Sequence, residues 1–156
     1  MGRVYLPVAV KDVHIVVGIL ALALNLLAFL LGAVAWFRSQ PSPLFWRTLR
    51  SGQVAVALEA AIGGVLLLMG EKATNLHYLY GALPLVVALL AEQLRLSAAT
   101  MVLDSRGLAD AKAVAALPKT EQREIVVAIL RREVGSMTLA ALVVTALLAR
   151  AATVVH

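Results

Sequence analysis

Four long apolar segments, at about residues 13–37, 52–70, 75–95 and 134–155, constrain this chain more than any other feature. A hydrocarbon core about 30 Å thick is crossed by roughly 20 helical residues, with about 17–25 tolerated. The first and fourth segments clear that length, and the second and third reach it once their polar ends are counted. Inside lipid, backbone N–H and C=O groups must be satisfied within the segment, which dictates helices. Composition agrees, since 62% of the 156 residues are hydrophobic and 15% charged, against about 45–50% and roughly 25% in a soluble domain. The expected fold is an all-α integral membrane protein, one domain with four transmembrane helices in an up-down bundle. The first segment is longer than a signal-peptide core, so it is expected to be a retained span in contact with the lipid bilayer.

Basic residues set the expected orientation. The connection after the first span carries Arg38, Arg47 and Arg50, and the one after the third carries Arg95, Arg106, Lys112, Lys119, Arg123, Arg131 and Arg132. The opposite side has Arg3, Lys11 and Lys72. The positive-inside rule places the first set in the cytoplasm and both termini outside a plasma membrane. The formal charge of +5 therefore reads as a topology signal, with no basic patch alternating with aromatics to suggest nucleic acid. Zero cysteine excludes a disulfide scaffold, thiolate metal sites, a Cys nucleophile and covalent c-type haem attachment.

The connections differ in kind. Ser39-Gln40-Pro41-Ser42-Pro43 is a turn signal, with Trp36 and Trp46 placed for the headgroup level. Gly70-Glu71-Lys72-Ala73-Thr74 is a tight link. Residues 96–133 predict a cytoplasmic helical hairpin, one arm capped by Ser97 and weakened at Gly107, the other capped by Thr120 after Pro118. It reads equally as a packed extension of the spans or as an arm that docks a cytoplasmic or membrane protein partner.

Polar groups in the spans carry the functional signal. His14 and His77 open the first and third spans, each four residues before a glycine, Gly18 and Gly81. Laid over one another, these helices also share Leu20/Leu83, Leu22/Leu85, Leu26/Leu89, Leu27/Leu90 and Ala28/Ala91. Both helices start on the same side, so the imidazoles are expected at one depth, on diagonal corners of the bundle. Two inward imidazoles can approach one flat metal macrocycle from opposite faces, with a glycine one turn deeper leaving room for its edge. This is the requirement of a bis-histidine b-type haem (haem b), with His14 and His77 as metal ligands. Arg150, near the outer end of the fourth span, is placed for the propionates, helped by Lys11 or Lys72. The alternative is that both histidines are interfacial and Arg150 snorkels to the headgroups. Asn25 and Glu59 are expected near mid-membrane at equal depth, as a hydrogen-bonded pair fixing register, as a proton relay, or as part of a small-molecule or ion pathway. That placement puts Glu59 about half a membrane from His14, too far to share a quinone head group.

The run from His14 through Gln53, Leu58, Gly63-Gly64 and Val65 to His77 resembles one four-helix half of haem A synthase. The resemblance spans roughly residues 10–95 and implies axial ligation by His14 and His77. Lys11 and Ile15 stand where the family's catalytic half has Glu and Arg, so it implies electron transfer or haem handling rather than haem hydroxylation. A cofactor-free accessory subunit of a larger membrane complex is the other class that the residues leave open.

Overall fold

The computed structural model describes the backbone of residues 5–154 and the side chains of 8–154. Six helices follow in order: α1 (Tyr5–Arg38), α2 (Pro43–Leu68), α3 (Asn75–Leu96), α4 (Ala98–Ser105), α5 (Ala111–Ala115) and α6 (Lys119–Thr153), with no strand among the described residues. α1, α2, α3 and α6 are each long and apolar enough to cross a membrane. Their outward faces expose Val16, Ile19, Leu30, Leu89 and Leu90, among others, a surface that suits lipid and not water.

Local chemistry explains the helix ends. Ser42 accepts from the Phe45 N–H with Pro43 at the first turn, a preorganised start for α2. Thr74 accepts from the His77 N–H at 3.2 Å and starts α3. Ser39 (φ 52°) and Gly70 (φ 88°) take left-handed conformations that end α1 and α2.

Three expected boundaries move, and one is the start of α2, which lies at Pro43 and not near residue 52. α1 begins at Tyr5, so His14 lies more than two turns inside it and does not open it. α6 runs unbroken from Lys119 into the fourth span. The hairpin is therefore uneven: its first arm is α4 and α5, broken at Gly107 (φ 67°), and its second is the start of α6. Thr120 does not cap it, because Pro118 holds the cap position and Gln122 Nε2 donates back to the Leu117 carbonyl at 2.8 Å. Ser97 turns its hydroxyl back to the Gln93 carbonyl at 2.9 Å, joining α3 to α4 without capping the latter. Arg3 and Val155 lie outside the described residues.

α1 packs along both α2 and α6, α3 packs along α6, and α2 and α3 touch only sparsely. The α1–α2 seam is built on glycine notches. His14 lies against Gly63, Gly18 against Glu59, Asn25 against Gly52, and Gly32 against Phe45. Each step along α1 is matched by an equal step back along α2, first of four residues and then twice of seven. The seven-residue repeat keeps one seam facing its partner, as in a coiled coil. Buried Ala21, Ala28 and Ala35 fill the positions between. Lipid supplies no hydrophobic drive between helices, so close backbone approach at small residues has to hold them together.

Candidate functional site

The seam register decides which polar groups meet. Glu59 sits one heptad from the partner expected for it, and its Oε1 lies 3.1 Å from His14 Nδ1. Asn25 instead meets Gly52, and its Nδ2 donates to its own helix at the Ala21 carbonyl, 2.8 Å away. Asn25 and Glu59 are therefore not a pair, and His14 and Glu59 are not half a membrane apart. The physical reason is volume: Glu59 and Asn25 each need a glycine opposite, and Gly18 and Gly52 provide one.

His14 and His77 come together across the bundle from α1 and α3. Their ring centroids are 6.1 Å apart with the planes at 72°. His77 Nδ1 is 3.1 Å from the Ala151 carbonyl on α6, an N–H donor position. Beside it, the Thr74 hydroxyl donates to the Val154 carbonyl, so two contacts tie the start of α3 to the end of α6. His14 Nδ1 faces the Glu59 carboxylate but is not aligned for a hydrogen bond, and Glu59 Oε2 is buried with no partner. A buried, unpartnered carboxylate oxygen is costly and calls for an account.

The two glycines proposed to make room differ. A Cβ at Gly18 would meet Glu59 Oε1 at 2.7 Å, so that notch is filled by the carboxylate. Gly81 has open space where its Cβ would point. Arg150 is exposed, 3.4 Å from the Thr153 hydroxyl and 6.0 Å above the Tyr80 ring. Lys11 is engaged by Glu71 at 2.6 Å, at the same end of the molecule.

A second polar cluster lies at the opposite end, unforeseen in the sequence. Glu92 on α3 accepts from Arg50 and Gln53 of α2 and from Arg95 Nε at 2.9 Å. Arg50 and Arg95 also flank the Trp46 ring, at 6.0 and 5.8 Å. The signal was present: an acid in an apolar helix three residues before Arg95 needs a basic or amide partner. This network pins together two helices that otherwise barely touch. Glu92→Ala is expected to cost about 1–3 kcal/mol, since charged hydrogen bonds are lost and two guanidiniums are left behind. Thermal unfolding in detergent checks it, and an unchanged midpoint would show the clamp to be idle.

No group of three or more His, Cys, Asp or Glu among the described residues could hold a metal ion. Two imidazoles alone complete an ion's coordination only when the other ligands arrive with the ion, as in a metalloporphyrin. His14 and His77, one from each of two helices, are the residues that would hold such a group between them. No known protein family, curated protein or solved structure matches this chain. The resemblance to haem A synthase thus stands on the residues alone.

Proposed function

We propose that this chain is a membrane b-type haem protein, an up-down four-helix bundle in which His14 and His77 would hold the haem iron near the extracytoplasmic face. The observation that carries the reading is the meeting of two imidazoles from diagonal helices at 6.1 Å, with Nδ1 of each facing an acceptor. His77, whose Nδ1 is within hydrogen-bond reach of the Ala151 carbonyl, would offer Nε2 to a metal with its ring orientation set, while His14 Nδ1 faces the Glu59 carboxylate without an aligned bond. Bound haem would supply one-electron chemistry, with its potential set by bis-imidazole ligation and burial. The chain's own part is orientation: Ala151 holds the His77 ring, Glu59 faces the His14 ring, and Gly81 leaves space one turn inward. Arg150 and Lys72 lie at the end where propionates would emerge. Electron transfer or haem handling is the activity this suits, with the ten arginines and lysines of the two basic connections in the cytoplasm.

The test is the absorption spectrum of protein purified from haem-replete cells, oxidised and then reduced with dithionite. Sharp α and β bands on reduction, with one haem per chain, are the expected result. Absence of stoichiometric haem sinks the proposal and promotes the accessory-subunit reading.

Glu59 is a positioning residue in this scheme. Outer partners of a ligating histidine are typically worth about 10–100-fold in affinity. Glu59→Leu is therefore expected to weaken haem retention by about tenfold and to shift the reduction potential, while Glu59→Gln, which keeps an acceptor oxygen, falls between. Titration of the apoprotein with haemin measures it, and equal retention in all three proteins removes Glu59 from the site.

A further inference from the structure

We infer that the groove between α4 and α6 is a binding site for an anionic phospholipid headgroup. The groove is open and about 470 Å³ in volume, within the roughly 300–1,000 Å³ of ligand sites. Its floor is apolar, formed by Trp36, Val102 and Ala128, and its rim carries Arg106, Arg131 and Arg132. All three arginines are exposed. Arg106 has only a loose pair with the exposed Glu124, at 3.7 Å, and Arg131 and Arg132 form no ion pair among the described residues. Three arginines lining one concavity can supply guanidiniums that match the oxygens of a phosphodiester, which Arg binds with paired donors.

Depth selects a lipid as the source of that phosphate. Trp36 stands two residues before α1 ends at Arg38, and Arg131 and Arg132 are separated only by Glu133 from the buried, apolar stretch of α6 that starts at Val134. The groove thus lies where both helices leave the apolar layer, at headgroup level. The Trp36 ring is seated on the α6 backbone, because a Cβ at Gly135 would come within 2.9 Å of its Cε2. Its apolar face gives the acyl end of a lipid something to lie on, which inorganic phosphate would not need. Basic pockets between spans on the cytoplasmic side are suited to anionic headgroups.

The experiment uses the full chain in neutral detergent, with phosphatidylglycerol and phosphatidylcholine offered separately and retention read by native mass spectrometry. One phosphatidylglycerol per chain should be retained, at least tenfold better than phosphatidylcholine. The combined Arg106→Gln, Arg131→Gln and Arg132→Gln variant should lose that preference with helicity and melting point unchanged. Should the combined variant fail to fold, Arg131→Gln alone is expected to lower retention about threefold. A charge-matched control outside the groove, Lys112→Gln with Lys119→Gln and Arg123→Gln, should retain the lipid as before. Equal retention of the two lipids, an equal loss in the control, or full displacement of the lipid by inorganic phosphate each overturns the inference.

Discussion

His77→Ala is expected to abolish the six-coordinate haem spectrum, and His14→Ala to do the same. On the proposed assignment each variant removes one of the two imidazoles that would hold the haem, so haem affinity should fall by tenfold or more, about 1.4 kcal/mol of binding. The variants differ in what they leave behind. His77→Ala frees the Ala151 carbonyl at a helix end, where water can serve it. His14→Ala leaves Glu59 with no partner on either oxygen, on a half-buried side chain. The second variant should therefore also be the less stable, because an unpaired carboxylate in a low-dielectric setting is costly. Added imidazole should restore sharp α and β bands in both, by occupying the space of the deleted ring. Unchanged spectra in both variants would reject the ligand assignment even in a protein that binds haem.

A large effect on stability is expected from Gly32. Buried Gly32 sits where α1, α2 and α6 converge: an added Cβ runs into the Thr138 hydroxyl and comes within 2.6 Å of Phe45 Cε2. Phe45 and Thr138 are themselves buried, so neither can yield cheaply. Overpacking of this kind costs about 1–3 kcal/mol, and Gly32→Leu should lower the melting point in detergent by roughly 5–10 °C. Gly64→Ala is the control. It meets no atom within 4 Å, and alanine is the better helix former by about 1 kcal/mol. That variant should be neutral or slightly stabilising. Equal losses at both positions would mean that the α1–α2 seam is not built on its glycine notches.

Much of the site's composition was legible in advance, and its geometry was not. His14 and His77 stood out because histidine is scarce and each precedes a glycine by four residues. Glu59 stood out as an acid in an apolar helix, but its partner was misassigned. The middle of each apolar segment is a poor guide to depth here, because α1 extends back to Tyr5 and α2 back to Pro43. The two extensions together shift the seam by one heptad, so Glu59 lies opposite Gly18 and beside His14. The Arg50–Gln53–Glu92 network went unread because its members are 39 and 42 residues apart in sequence. Such a contact exists only once α2 and α3 are placed side by side.

Segment length, hydropathy and turn residues by themselves determined the four apolar helices, the turns at Ser39 and Gly70 and the break at Gly107. These are local properties: a run of apolar residues must satisfy its own backbone, and a left-handed turn favours a glycine or a tight polar bend whatever lies beside it. Only the tertiary structure decided which faces meet. An apolar helix offers no amphipathic stripe to orient it, so the register between α1 and α2 rests on the fit of His14, Glu59, Asn25 and Phe45 into glycines on the facing helix. That fit is a matter of volumes across the seam. It is what brings His14, Glu59 and His77 to one end of the molecule.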